Sequence, residues 1–578
     1  MMSKTAADLN EIPQLTGRGA SRSGLICLFI ALAIAYFLQI GHGLPNQDVT
    51  WGADGDPMIP LVFAKKVILD GWNTGWHTPY PDFHRFVLLL FQGPYMVFQK
   101  VAGNLDGLDM GAGYPYGVQD FDTIYMHLAF ITRSVSCVMA MGAVFFVMKT
   151  SRALFPDASP VFSGIILGFA PSIVYYVHTE TLDVPMLFWL SAGVYCYVRA
   201  VQTFELRYYL WLAVFAAVST ATKDYAYGAY VLMPLPLVVA LAKRDYGLNI
   251  GGIMKSVVDK RHLYALGMFV LAFILAENII WNPSGFVNHV KLALGIGNPE
   301  VTIETNFNKE IVFSLGRVYQ LARIMPFCLG WISIPVCLMG MGLVALRSRR
   351  EFWVILIPLI SYYVFTIYIP GSGLSAKERS HMPLCFFLAV FGGHMLASIW
   401  IGRELTWLRK GCVATVATLI ALNGYAVDGL FMFDTRYQTE QWFADNVDHG
   451  TFIESYGYRS QCPRLYDNWV NVIVNQDEAP KESDLQITST EHFEKLDDRN
   501  PKYILVPQSF MRSWMENKKH QESPLRNSIV DFFSDLEAGT IGYKKREHFY
   551  PLLGPLFGMP ENRRHIPEIM VYERVEKS

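Results

Sequence analysis

Apolar residues recur along the chain in runs long enough to cross, or nearly cross, a bilayer: 25–41, 126–148, 160–177, 185–202, 208–222, 226–242, 263–281, 324–346, 352–369, 382–401 and 411–432. They predict about eleven membrane-spanning helices. Pro171, Pro234 and Pro236 interrupt the shorter runs, which predicts helices that stop at membrane depth around a cavity. The intervening polar stretches are unequal: 42–125 is a long loop, and everything from about 433 onward has the composition of a soluble domain. Within that tail the short apolar runs 503–507 and 569–572 lie between polar helical candidates, the pattern of a small α/β domain. The predicted architecture is an all-α polytopic membrane protein with a small C-terminal α/β extramembrane domain. It divides into a cytoplasmic tail (1–24), a transmembrane domain (25–432, including the loop 42–125) and the soluble domain (433–578).

Charge sharpens this picture. Basic residues collect in Arg18/Arg22, Lys149/Arg152, Arg199/Arg207, Lys243/Arg244 with Lys255/Lys260/Arg261, Arg347/Arg349/Arg350, and Arg403/Arg409/Lys410. If the N-terminus is inside and the spans alternate, every cluster falls on the cytoplasmic side, as short cytoplasmic loops require. The other side then receives the loop 42–125, short turns near 178–184 and 223–225, the loop 282–323, a turn near 370–381, and the tail. Apolar residues make up 52% of the chain and charged ones 17%, so lipid is the expected solvent. The formal net charge of −2 and the lack of a long basic block argue against nucleic-acid binding. A cleaved signal peptide is the competing reading of the first apolar run, which is longer than a usual signal core. Seven cysteines fall in apolar stretches and only Cys462 in a polar one, with no disulfide or metal-ligand spacing.

Candidate chemistry gathers on the predicted outer side. The first outer loop carries Trp51-Gly-Ala-Asp54-Gly-Asp56-Pro57 shortly after the first span, then Trp76-His77 and Tyr80-Pro81-Asp82-Phe83-His84-Arg85. Later come His178-Thr-Glu180-Thr-Leu182-Asp183-Val-Pro185, Thr222-Lys223-Asp224-Tyr225 and Lys377-Glu378-Arg379-Ser-His381, with Arg133 near the outer end of the second span. Each has an ordinary reading of its own: a turn with solvated aspartates, a snorkelling arginine, an interfacial Lys–Asp pair. Together they bring cations and carboxylates from five separated segments to one leaflet, where charge next to hydrocarbon is expensive without partners or a task. That set suits a glycosyl phosphate on a lipid carrier. Cations hold the phosphate, a carboxylate takes the acceptor's proton, and the diester needs no strong general acid to leave.

At these residues, from 25 to about 400, the sequence resembles the GT-C glycosyltransferases of the family 39-like branch, which includes protein O-mannosyltransferases, lipid A aminoarabinose transferases and lipopolysaccharide core galacturonosyltransferases. The resemblance rests on the acidic motif after the first span, Tyr80-Pro81-Asp82-Phe83-His84, Arg133-Ser-Val-Ser, Pro171, Leu182-Asp183-Val-Pro185, Ala221-Thr222-Lys223, and Glu378-Arg379 with Pro383. It implies an inverting transfer with Asp56 as the general base and Asp54 as its understudy, since Pro57 stands where glutamate is common. It also implies Lys223, Arg133 and Arg379 as ligands of the donor phosphate and Asp183 as a substrate-orienting carboxylate. His84, His77, His178 and Glu180 are read as lining the acceptor side. A divalent cation near the acidic loop occurs in some relatives; the residues define no ligand set for one, and no other cofactor is implied.

The expected partners are a polyprenyl-phosphate-sugar donor and a lipid, glycan or protein acceptor. The rival readings are a transporter or flippase of lipid-linked sugars, and a scaffold whose outer domain binds a partner. The chain lacks the inverted repeat of many transporters. It also lacks an Asn-X-Ser/Thr sequon with a non-proline middle residue, which favours a bacterial inner membrane with the site facing the periplasm.

Overall fold

A computed structural model of the chain describes residues 22–44, 81, 83–109, 118–293, 315–368, 378–401, 406–457, 461–465, 470–474, 496–515, 524–554 and 566–575. Two compact units emerge: one comprises residues 1–40, 55–98 and 131–427, the other 41–54, 99–130 and 428–578.

The helices run α1 (Arg22–Phe37), α2 (Phe83–Val101), α3 (Phe121–Leu154), α4 (Val161–Gly168), α5 (Pro171–Val177), α6 (Asp183–Thr203) and α7 (Leu206–Thr220). A 3-10 turn (Asp224–Ala226) leads into α8 (Tyr227–Tyr230) and α9 (Pro234–Leu241). A π turn (Ala242–Tyr246) then precedes α10 (Ile250–Val257), α11 (Lys260–Ala276) and α12 (Pro283–Ala293). Next come α13 (Leu315–Leu329), α14 (Ser333–Arg347), α15 (Arg349–Tyr362) with a π turn (Tyr363–Tyr368), a 3-10 turn (Glu378–His381), α16 (Met382–Ile401), α17 (Thr406–Met432) and α18 (Thr435–Asn446).

Most expected runs appear as helices, yet about eleven full spans were expected and fewer helices qualify. Among the described residues, five are long and apolar enough to cross a membrane, or six if one bent pair counts as a single span. The difference lies in length and breaks. The Leu206–Thr220 helix has 15 residues, about 22 Å at 1.5 Å per residue, against a hydrocarbon core of about 30 Å. The run 160–177 splits because Pro171 can open a helix but cannot continue one. The run 324–346 bends by 101° between Leu321–Leu329 and Ser333–Arg347. Gly330 turns that corner at φ +89°, and a Cβ there would lie 2.5 Å from the Asn423 carboxamide oxygen, so both conformation and space call for glycine.

Inside the first unit α6 packs along α7, α7 along α11, and α16 along both α14 and α4. Gly393 on α16 meets Ser163 so closely that a Cβ would sit 2.5 Å from the Ser163 backbone nitrogen, a backbone approach typical of helices packed in lipid.

The second unit holds a five-stranded sheet of β1 (Phe452–Tyr456), β2 (Val470–Val474), β3 (Tyr503–Pro507), β4 (Tyr543–Phe549) and β5 (Ile569–Arg574), ordered β2-β1-β3-β5-β4. β1 pairs in parallel with β2 and β3, while β5 runs antiparallel to β3 and β4. All five β3 residues are buried. Ile504 and Val506 pack on one side with Phe510, Ile529 and Phe533; Tyr503 and Leu505 pack on the other with Phe443, Ile453 and Ile569. A strand covered on both faces reads as the continuous apolar run seen in the sequence.

Candidate functional site

The site is built where helices of the first unit end. α6 opens with Asp183, whose carboxylate sits in the first turn, the end where the helix dipole favours negative charge. α7 closes at Thr220, and Lys223 follows in extended conformation (φ −157°, ψ 117°), so its side chain leaves the helix line. Lys223 Nζ donates to Asp183 Oδ2 at 2.7 Å, and the Tyr225 hydroxyl donates to Asp183 Oδ1 at 2.6 Å. Asp183 is wholly buried and Lys223 only 2% exposed, which makes the pair stable only because both carboxylate oxygens are used. Thr366 Oγ1 holds the Tyr225 carbonyl at 2.7 Å. The Arg379 guanidinium, on the 3-10 turn Glu378–His381, is near enough to act electrostatically on both Asp183 and Tyr225.

A second pair lies three residues back along the chain. Arg133, fully buried on α3, donates from Nε to Glu180 Oε1 at 2.5 Å and from Nη1 to the Ile40 carbonyl at 2.9 Å. His178 is held by both ring nitrogens, to the Val174 carbonyl at 2.6 Å and the Leu38 carbonyl at 2.7 Å. Residues 178–183 therefore join the two pairs. The Cα atoms of Glu180 and Asp183 are at most about 11 Å apart, the reach of three residues.

The N-terminus of α2 comes alongside. The Phe83 amide donates to the Ala221 carbonyl at 3.3 Å, two residues before Lys223. His84 is 1% exposed, with its Nδ1 lacking a hydrogen-bond partner among the described residues. Burial, aided by the neighbouring Arg85 charge, lowers its pKa to about 3; it is a neutral imidazole at working pH. An apolar groove of about 420 Å³ opens beside this junction, lined by Phe83, Phe86, Val218, Ala272, Leu275 and Trp281.

The structure thus brings together Lys223 with Asp183 and Arg133 with Glu180, sets Arg379 within electrostatic reach of Asp183, and puts His84 and His178 on the flanking segments. Asp54, Asp56 and His77 lie outside the described residues. Two participants were not singled out from sequence. Tyr225 stood beside Lys223 and was legible there as a phenol next to a helix-end cation. Tyr362 lies inside the apolar α15, and nothing in its run distinguishes its buried hydroxyl, which donates to the Ser380 carbonyl at 2.7 Å. Among the described residues no group of three or more His, Cys, Asp or Glu side chains is arranged to hold a metal ion.

Residues 114–281 match the family model described as dolichyl-phosphate-mannose-protein mannosyltransferase. The GT-C glycosyltransferase resemblance is borne out there. The matched segment contains Arg133, Glu180, Asp183 and Lys223, the residues of both ion pairs, together with His178. No curated protein sequence matches the chain. Solved structures of GT-C glycosyltransferases are similar at low identity. ArnT from Cupriavidus metallidurans bound to undecaprenyl phosphate shares 12% identity over 96% of this chain and 98% of its own, with a TM-score of 0.46. Arabinosyltransferase EmbB from Mycobacterium smegmatis shares 11% over 76% of this chain and 43% of its own, with a TM-score of 0.39. Arabinofuranosyltransferase AftD from mycobacteria shares 12% over 97% and 42%, with a TM-score of 0.36. The chain is a multi-pass membrane protein, and its residues 114–281 are similar to that mannosyltransferase family.

Proposed function

We infer that this GT-C protein transfers a sugar from a polyprenyl-phosphate donor to a lipid, glycan or protein acceptor, with inversion, on the non-cytoplasmic face. The observation that carries the reading is the convergence of two buried cation–carboxylate pairs, Lys223–Asp183 and Arg133–Glu180, on one six-residue segment, with Arg379 beside them. The family description names a dolichyl-phosphate sugar, and Lys223, Arg133 and Arg379 bring the kind of charged donors that bind a phosphate.

In this reaction the acceptor hydroxyl attacks the anomeric carbon as the Asp56 carboxylate takes its proton, with Asp54 in support. The bond from that carbon to the phosphate oxygen breaks, and the polyprenyl phosphate departs with the electron pair. Lys223, Arg133 and Arg379 stabilise the charge on the departing phosphate. Asp183 acts through others: it aims Lys223 and Tyr225, so that the ammonium is held in place before the donor arrives. His84, neutral by burial, lines the acceptor side with His77, His178 and Glu180. The apolar groove next to Phe83 suits the donor's isoprenoid chain. Support for the orientation comes from the charge pattern: basic residues gather at the ends of α6 and α7 opposite to Asp183 and Lys223, as the cytoplasmic end of a bundle does, in keeping with a bacterial inner membrane and a cytoplasmic N-terminus.

Asp56→Asn tests this. With purified protein, a polyprenyl-phosphate sugar and candidate acceptors identified by mass spectrometry of surface glycans, product formation should fall by about 10²- to 10⁴-fold while donor binding persists. Undiminished transfer would remove Asp56 as base; a donor lipid that merely changes leaflet, with no new glycosidic bond, would make the protein a flippase instead.

A further inference from the structure

The end of α15 joins two chain segments that each carry a cation of the site. From Phe352 to Ile360 the helix is apolar; then come Ser361, Tyr362 and, in the π turn, Thr366, all fully buried. A buried hydroxyl at membrane depth needs an acceptor. Each of these three donates to a backbone carbonyl of another segment.

The acceptors lie in two places. The Tyr362 hydroxyl donates to the Ser380 carbonyl at 2.7 Å, the residue after Arg379 in the 3-10 turn Glu378–His381. Thr366 Oγ1 donates to the Tyr225 carbonyl at 2.7 Å, two residues after Lys223. Ser361 strengthens the second link, since its hydroxyl donates to the Gly228 carbonyl and accepts from the Leu232 amide at 3.1 Å. In return the Tyr227 hydroxyl donates to the Phe365 carbonyl at 2.8 Å. A Cβ on Gly228 would run into Thr366 Oγ1 and lie 3.2 Å from the Thr366 backbone nitrogen, so this approach requires glycine. The other flank of Arg379 is held as well: Cys328 Sγ, from α13, reaches the Glu378 carbonyl at 3.4 Å.

Tyr362 and Thr366 are four residues apart, which makes them neighbours on one side of a helix, about 6 Å along its axis. The backbone between them widens into the π turn Tyr363–Tyr368, a distortion frequent at functional sites. Side-chain hydrogen bonds between helices in lipid add little to stability. What they fix is register, and here it is the register of the segment after Lys223 against the turn that bears Arg379.

We propose that Tyr362 and Thr366 are positioning residues: the end of α15 is a clamp that sets the spacing of Lys223 and Arg379, and with it the place of the donor phosphate. This rests on the phosphate-binding role given to those two cations above. The test uses the full-length protein in detergent. Tyr362→Phe with Thr366→Val removes both hydroxyls at almost unchanged volume. Retention of undecaprenyl phosphate, read by native mass spectrometry, should fall about tenfold. The kcat of sugar transfer should fall about tenfold or more, as a misplacement of about 1 Å can cause, while the acceptor KM stays within about twofold. Thr366→Ser keeps the hydroxyl and should match the unaltered protein. Tyr425→Phe removes a hydroxyl-to-carbonyl bond between α17 and Ala31 of α1, also 2.7 Å long, and should change neither reading. Undiminished retention and kcat in the double variant, or an equal loss with Tyr425→Phe, would overturn the proposal. Hydrogen exchange reads the clamp without substrate: in the double variant the amides of 225–228 and 379–382 should lose protection together, and loss in one segment alone or in neither would also overturn it. An unaltered protein that retains undecaprenyl phosphate but forms no glycosidic bond would instead sink the transfer reading and leave the clamp standing.

Discussion

Each unit buries a carboxylate between a cation and a tyrosine, yet the two arrangements differ in kind. In the second unit Glu454 of β1 accepts from Arg499 twice, at 3.0 Å (Nε to Oε2) and 2.6 Å (Nη2 to Oε1), and also from the Tyr456 hydroxyl. The matching forks neutralise each other beside a sheet packed on both faces, so the triad is closed. In the first unit Asp183 takes only a point charge from Lys223 and a hydroxyl from Tyr225, at helix ends, with Arg379 and the Arg133–Glu180 pair nearby. The same three kinds of side chain hold a fold together in the second unit, and we propose that in the first they hold a donor phosphate, a role suited to an ammonium that acts as a point charge.

The contrast breaks most sharply if the cations are removed. Lys223→Ala and Arg499→Ala each strand a buried carboxylate, so each should cost about 3–5 kcal/mol of stability, read from thermal unfolding in detergent. Donor binding, measured by retention of a polyprenyl-phosphate sugar, should fall about tenfold or more for Lys223→Ala and stay within about twofold for Arg499→Ala. An Arg499 variant that loses donor affinity as strongly as the Lys223 variant would abolish the distinction. Replacing both members, Lys223→Met with Asp183→Leu, should recover much of the stability but none of the transfer; recovered transfer would make the pair a structural element only.

A smaller effect is expected of the hydroxyls. Tyr225→Phe and Tyr456→Phe each remove a hydrogen bond to a carboxylate, worth about 1.5–3 kcal/mol. Only Tyr225→Phe should also lower kcat, since the phenol helps aim Asp183 and through it Lys223. Equal, unaltered kcat in both variants would take Tyr225 out of the site.

The smallest effect concerns acid. His84 stays neutral in the folded protein down to about 3, against an ordinary value of 6.5. The unfolded chain therefore binds a proton that the native one refuses, and stability is full above pH 6.5 and declines as pH falls below it. The slope from this group is at most about 1.4 kcal/mol per pH unit. His84→Gln should flatten the acid limb of a stability profile, and superimposable limbs would show that the buried imidazole carries no such penalty.

Several features were legible in the chain alone. The apolar runs marked most of the longer helices of the first unit, Pro171 announced the break between α4 and α5, and the apolar run 503–507 announced a strand, because burial and backbone chemistry are written locally. Basic clusters marked one end of the bundle, since charge in short loops is a local property as well. The bend at Gly330 was not legible: a glycine in an apolar run reads the same in a straight helix, and only the neighbouring Asn423 shows why the corner excludes a side chain.

What the amino-acid order determined by itself was which stretches seek lipid, where charges sit along them, and that Arg133, Glu180, Asp183 and Lys223 lie at or near the ends of apolar runs. The tertiary structure alone decided who meets whom: Lys223 with Asp183 across 40 residues, Arg133 with Glu180 across 47, and Tyr225 with Asp183. Periodicity tells which face of a helix is polar, but the partner of that face depends on how helices rotate and cross at 8–10 Å separation, a choice made by the whole packed bundle.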